Sequence, residues 1–111
     1  MPNNYFITTP IYYVNDIPHI GHAYTSIATD FIARFKRMSG VNTFFLTGTD
    51  EHGQKIQKAA TKSSIEPIAL CDNNSIKFRE LTNLLNLSNN DFIRTTAVSY
   101  THLTLPTNRC V

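Results

Sequence analysis

A strand-like run, a turn bracketed by prolines and a long amphipathic helix follow one another directly at the start of this chain. Residues 5–9 are aromatic and β-branched, which is typical of a buried strand. Pro10 and Pro18 bracket the turn. From Ile20 to Met38 apolar residues recur at steps of three and four, which predicts a helix of about five turns with one apolar face.

The helix is predicted to end at Ser39 and Gly40, after basic residues that suit the negative end of its dipole. A second strand is predicted at residues 43–47 and a third around residues 92–94. Strand, turn, helix and strand form a βαβ unit, and open parallel sheets bind ligands at the carboxyl ends of their strands. The pattern therefore predicts an α/β fold: half of a doubly wound parallel sheet, with a ligand site in the first turn.

That turn contains His19, Gly21 and His22. The amino end of a helix attracts phosphate because its first N–H groups are unpaired and its dipole is positive there. Gly21 has no Cβ to hold a ligand away, and histidines three apart can both donate hydrogen bonds to phosphate oxygens. Two nearby histidines are more often surface or cap residues, so the motif alone leaves both interpretations open.

A second polar cluster occupies residues 48–53, where Asp50, Glu51 and His52 lie between two glycines after the second strand. A loop in this position faces the ligand side of a parallel sheet, so it could hold a metal or an acid–base pair. It could equally be a turn in which Asp50 caps the next helix. Neither interpretation requires a metal.

The two remaining predicted helices look structural. Residues 54–62 are polar, and Lys55, Lys58 and Lys62 are expected to form a solvated face rather than a contact with nucleic-acid phosphates. Pro67 suits the first position of a further helix, which the asparagines at residues 86–90 should end. We assign no chemistry to that helix.

Composition sets further bounds. A chain of 111 residues forms at most one domain, and a net charge of +2 is too balanced to indicate nucleic-acid binding. Cys71 and Cys110 lack the spacing of a zinc site or a disulfide framework. No basic, apolar leader and no run of about 20 apolar residues is present, so a cytoplasmic protein without membrane contact is expected.

Three segments, residues 8–24, 44–53 and 91–96, resemble the N-terminal part of bacterial methionyl-tRNA synthetase. Residues 19–22 then correspond to the HIGH motif of class I aminoacyl-tRNA synthetases. The Pro-Ile-Tyr-Tyr lead-in and the Thr-Gly-Thr-Asp-Glu-His-Gly string distinguish the methionine enzyme from other class I enzymes. The resemblance covers residues 4–96 without an evident gap and implies the first half of a Rossmann-like, HUP-type fold.

The resemblance implies methionine–tRNA ligase activity: ATP and methionine form methionyl-adenylate, which is then transferred to tRNA(Met). By correspondence, His19 and His22 would stabilise the α-phosphate of ATP, and Gly21 would let the adenine lie close to the backbone. The same correspondence places Ile11 and Tyr13 in the methionine pocket. From the residues alone, these two would be loop and core apolar side chains.

Asp50 corresponds to the carboxylate that holds the α-ammonium group of methionine, since a desolvated ammonium needs an opposite charge. The resemblance also implies Mg²⁺ with ATP in the full enzyme. The family's zinc-bearing insertion, its KMSKS loop and its anticodon-binding domain have no counterpart in these 111 residues. Residues 97–111 do not match the family, so we expect a domain boundary at residue 96. Two interpretations of the tail stay open: translated non-coding sequence joined to the reading frame, or a genuine C-terminal strand, since residues 98–105 are rich in β-formers.

With half of the site missing, the chain alone is predicted to be inactive or nearly so. Three alternatives stay open from the sequence. One is a non-catalytic nucleotide-binding module derived from a synthetase, and another is an unstable fragment with no function of its own. The third is a small nucleotidylyltransferase, which should show a closing phosphate-binding motif near its C-terminus, and the sequence shows none there.

Overall fold

The computed structural model describes residues 4–96. The predicted domain boundary falls at the last described residue, and the tail at residues 97–111 lies outside the described range. Both therefore stay predictions. Within the described range, no helix is long and apolar enough to cross a membrane. The elements, in chain order, are β1 (Asn4–Thr8), β2 (Tyr12–Tyr13), α1 (Ile20–Met38), β3 (Asn42–Asp50), α2 (Gln54–Lys62), α3 (Pro67–Leu84) and β4 (Asp91–Arg94).

The sheet is parallel and centred on β3. β1 pairs with the first half of β3, with Asn4 opposite Asn42, and β4 pairs with the second half. β2 pairs with the last two residues of β3, so that Tyr13 lies opposite Asp50. The predicted α/β fold with a parallel sheet is therefore confirmed.

The predicted helices and three of the strands are confirmed, with two corrections. β3 runs to Asp50 rather than ending near residue 47, because β2 and β4 both pair with its last residues. The segment 48–50 thus belongs to a strand and not to a loop. β2 was not predicted, since two residues are too few to show a pattern.

β1 is covered on one face only, so the prediction of a fully buried strand is wrong. Its burial alternates: Tyr5 and Ile7 are partly covered, whereas Phe6 is 63% exposed. Phe6 stacks on Phe44 of β3 with 5.8 Å between ring centroids. These two rings lie on the open face of the sheet.

Helix α1 has its apolar side exposed and contacts β1 and β3 on its other side. Its buried residues are small or polar: Ser26, Thr29, Asp30 and Ala33. Asp30 accepts hydrogen bonds from the backbone and the side chain of Ser88, which ties α1 to the segment before β4. The exposed apolar side consists of Ile20, Tyr24, Ile27, Phe31, Phe35 and Met38.

The main apolar core lies beside β2, under α2 and α3. Helix α3 contributes three of its side chains, which confirms the structural assignment of that helix. Burial, reinforced by the nearby charge of Glu51, raises the pKa of the Cys71 thiol to about 11, so it stays neutral. The core consists of Tyr12, Val14, Ile56, Ala60, Leu70, Cys71 and Phe78, with Ala59 and Phe92 packed against it.

Candidate active site

The first turn of α1 is a capping box made by two histidines. His19 is the N-cap in an extended conformation, and its Nδ1 accepts a hydrogen bond from the Gly21 N–H at 3.0 Å. In return, Nδ1 of His22 accepts from the His19 N–H at 3.0 Å. The two rings stack with 3.9 Å between centroids. Both imidazoles therefore close the helix end and lie side by side.

These hydrogen bonds fix the tautomer of each neutral ring. Because Nδ1 accepts in both, the proton lies on Nε2, which is the nitrogen that each ring can offer to a ligand oxygen. Burial and, secondly, the repulsion that a protonated His19 ring would exert lower the pKa of His22 below its ordinary value. His22 is thus kept as a neutral hydrogen-bond donor.

The His19 ring lies close to Gly21, where a side chain would displace it from its capping position. A Cβ added at Gly21 would lie 2.8 Å from Cε1 and 3.1 Å from Nδ1 of the His19 ring. From the sequence, Gly21 is expected to admit a ligand beside N–H groups that have no partner. The Gly21 N–H is already bonded, so part of that expectation is wrong.

Two aromatic residues that were not predicted hold His22 in place. Tyr12 and Phe78 each meet the His22 ring edge-on at 4.8 Å between centroids, and they stack on each other at 5.7 Å. The Tyr12 hydroxyl is hydrogen-bonded to that of Ser26 at 3.0 Å. The sequence carries no signal for these two contacts, because residues 11–14 are all apolar or aromatic and Phe78 lies 56 positions from His22.

Four of the six predicted site residues line one open cavity of about 450 Å³, a size suited to a small ligand. Ile11 and Tyr13 are 37% and 49% exposed, so they are not core residues. The cavity is lined by Pro10, Ile11, Tyr12, Tyr13, Asn15, Asp16, Ile17, His19 and His22.

Asp50 lies next to this cavity rather than in its wall. It ends β3 opposite Tyr13, and its carboxylate accepts a hydrogen bond from the His52 N–H at 3.1 Å. The N-cap of α2 is Gly53, which has no side-chain cap, so the interpretation of Asp50 as a helix cap is wrong. The ammonium group of Lys55 lies 5.4 Å from the centroid of the Tyr13 ring.

Glu51, the next residue, is fully buried and ion-paired. Arg94 donates to both of its carboxylate oxygens, at 2.6 and 2.8 Å. Burial alone would raise the pKa of Glu51, but hydrogen bonds from Arg94, Thr96 and Thr49 and the charge of Arg94 bring it below its ordinary value. Glu51 is therefore an anion with its acceptors filled. Arg94 was not singled out from the sequence, because its partner lies 43 residues away.

The polar cluster at 48–53 does not gather a metal ligand set. Across residues 4–96, no three His, Cys, Asp or Glu side chains are placed to hold a metal ion. The cavity itself is lined by two histidines and one exposed carboxylate, Asp16, with Asp50 beside it.

Comparisons with known proteins identify the family of this chain. The family model described as tRNA synthetases class I (M) matches residues 5–107. The methionine–tRNA ligase of Rickettsia felis is 64% identical over 96 residues, which are 86% of this chain and 19% of that protein. The ligase of Mesorhizobium japonicum is 59% identical over 92 residues, covering 83% of this chain and 18% of that protein.

The structure of Mycobacterium tuberculosis methionyl-tRNA synthetase in complex with methionyl-adenylate matches with a TM-score of 0.85 and 48% identity. The match covers 87% of this chain and 19% of that one. The chain thus spans about a fifth of the length of these relatives. Its Rossmann-like fold corresponds to part of their catalytic domain. The chain belongs to the methionyl group of the class I tRNA synthetases.

Proposed function

We propose that residues 4–96 bind ATP and methionine and form part of the active site of a methionine–tRNA ligase. The observation that carries this proposal is the convergence of His19, His22, Ile11 and Tyr13 on one cavity, with Asp50 opposite Tyr13. The solved relative that binds methionyl-adenylate supports it, because it shares both fold and sequence with this region.

In the proposed reaction a carboxylate oxygen of methionine attacks the α-phosphorus of ATP. The bond to the bridging oxygen breaks, pyrophosphate leaves, and methionyl-adenylate remains for transfer to tRNA(Met). Nε2–H groups of His19 and His22 donate to the α-phosphate oxygens as charge grows there, which stabilises the transition state without a covalent intermediate. Gly21 leaves room for the adenine beside the backbone.

For methionine, Ile11 and Tyr13 supply apolar surface and Asp50 pairs with the α-ammonium group. The half-buried carboxylate is a suitable partner because a desolvated cation needs an opposite charge. Mg²⁺ is expected to arrive with ATP, but residues 4–96 offer it no ligand set, so no step is assigned to the ion. We place this enzyme in the cytoplasm, because the relatives it matches are bacterial translation enzymes.

Methionine-dependent ATP–pyrophosphate exchange tests the proposal. The assay compares the 111-residue chain with a chimera in which residues 4–96 replace the matching region of the Rickettsia felis ligase. We expect exchange by the chimera and little or none by the chain, because positioning needs groups from the whole site. In the chimera, His22→Asn should lower kcat by about 10²-fold, as the loss of one aimed donor does in other enzymes.

Lys58→Gln, an exposed change on α2, is the matched control and should leave exchange unaltered. An inactive chimera together with ATP binding by the chain would favour the non-catalytic module. Pyrophosphate release by the chain alone would favour the small nucleotidylyltransferase.

A further inference from the structure

Glu51 is a buried carboxylate that the proposed reaction does not use. Its side chain is 0% exposed and accepts four hydrogen bonds. Two come from Arg94, one from the Thr49 hydroxyl at 2.9 Å and one from the Thr96 hydroxyl at 2.7 Å. With every oxygen occupied by protein donors, Glu51 has no free acceptor for a substrate, so its role must be exerted through its neighbours.

Arg94 extends this contact to a third element. Its Nη2 also donates to Asp72 on α3 at 2.6 Å, so the guanidinium joins β4 to both the end of β3 and α3. The planar fork matches a carboxylate in one geometry only, which a lysine cannot reproduce. The ion pair therefore fixes the orientation of the Glu51 carboxylate as well as its distance from Arg94.

The backbone on both sides of Asp50 is fixed by the same region. The Glu51 N–H donates to the Thr95 hydroxyl at 2.8 Å, and the Thr95 N–H donates to the carbonyl of Thr49 at 3.2 Å. The His52 ring lies 3.1 Å from that same hydroxyl through Nδ1. Residues 49, 51 and 52 are thus all tied to Thr95, directly after β4, and Asp50 lies among them.

We propose that the Glu51–Arg94 ion pair is a positioning device for Asp50 and so sets the affinity for the ammonium group of methionine. Successive side chains in an extended segment point to opposite faces, so holding Glu51 inward turns Asp50 toward Tyr13. The role toward methionine rests on the proposed function. The fixing of Asp50 does not.

The test uses the 111-residue chain, unsubstituted and as Glu51→Gln, Arg94→Lys and Glu80→Gln. Glu80 is an exposed carboxylate on α3, so the last variant removes the same charge away from the ion pair. Amide hydrogen exchange followed by NMR reports on the His52 N–H, which donates to Asp50. The Phe45 N–H, in the buried part of β3, reports on global opening.

Glu51→Gln should accelerate exchange at His52 about tenfold relative to Phe45, because the amide is uncharged and only one of its two terminal atoms can accept a hydrogen bond from Arg94. Arg94→Lys, which keeps the charge and loses the fork, should fall between this variant and the unsubstituted chain. Glu80→Gln should change nothing. Equal acceleration at both amides, or no protection of His52 in the unsubstituted chain, would overturn the positioning role.

An NMR titration with L-methionine on the same samples tests the consequence. Shifts at Tyr13 and Asp50 should give a Kd that rises at least about fivefold in Glu51→Gln, an effect that lost stability alone does not produce at a temperature where every variant is folded. An unchanged Kd contradicts the link to methionine. If the unsubstituted chain shows no methionine shifts, the proposed methionine site fails, and the exchange data still decide whether the ion pair fixes Asp50.

Discussion

Gly48 is the residue whose replacement has the most direct structural consequence. It lies within β3 opposite Ile93 of β4. A Cβ built there would lie 1.9 Å from the carbonyl oxygen of Ile93 and 2.8 Å from its carbonyl carbon. Those atoms are backbone, so no side-chain rotation relieves the overlap. In Gly48→Ala, β4 must move away by about 1.5 Å to reach the 3.4 Å of an ordinary contact.

The free-energy cost follows from that displacement. Opening the ladder locally loses about two hydrogen bonds at about 1 kcal/mol each, and the remaining overlap costs about 1–3 kcal/mol. The lower chain entropy of alanine returns about 0.5–1 kcal/mol. We therefore expect Gly48→Ala to lower the free energy of unfolding by about 2–4.5 kcal/mol, a large share of the stability of a small domain.

Urea unfolding followed by circular dichroism measures this cost, since the chain has no tryptophan for fluorescence. Gly40→Ala is the comparison: Gly40 has a φ of +83° with nothing within 4 Å of the added Cβ. Gly40→Ala should lower the free energy of unfolding by about 1–2 kcal/mol, the cost of a left-handed backbone conformation for alanine. Gly40→Asn should cost less, because asparagine adopts that conformation more readily. A Gly48→Ala cost below about 1 kcal/mol would refute the argument from close approach.

Three further predictions concern the aromatic and histidine side chains at the amino end of α1. Tyr12→Phe should cost about 1 kcal/mol in urea unfolding, because the buried Ser26 hydroxyl loses its partner. Phe78→Leu should cost about 1–2 kcal/mol and move the ring-proton NMR signals of His22, which the Phe78 ring edge meets at 4.8 Å. Because the pKa of His22 is lowered in the folded state, the free energy of unfolding should fall as pH drops below the ordinary value of 6.5. His22→Gln keeps an acceptor for the His19 N–H without titrating, so the Tm difference between about pH 7.5 and about pH 5.5 should shrink. An undiminished difference would assign that pH dependence to another group.

The helices were the part of the fold best predicted from sequence, because their signals are local. The periodic run that predicted α1, the Ser39-Gly40 stop and Pro67 at the start of α3 all depend on neighbours within a few residues. The periodicity did not predict which side of α1 faces the sheet. Its apolar side is exposed, and the sheet is contacted by Ser26, Thr29, Asp30 and Ala33.

The site was predicted in part. Ile11, Tyr13, His19 and His22 do line one cavity, and Asp50 lies opposite Tyr13. The roles given to these residues stay predictions for the experiments above. Gly21 fits the turn for a reason that sequence reasoning did not supply, namely the His19 ring beside it.

The sequence by itself determined the order of strands and helices, the motif at the start of α1 and the family resemblance, because each depends on residue types at short spacing. The tertiary structure decided the pairing of Glu51 with Arg94, the support of His22 by Phe78, and the extension of β3 through Gly48 to Asp50. Each of these joins residues 43 to 56 positions apart or needs a neighbouring strand, and only chain folding brings such groups within contact distance. Residue types at short spacing therefore cannot predict these long-range contacts.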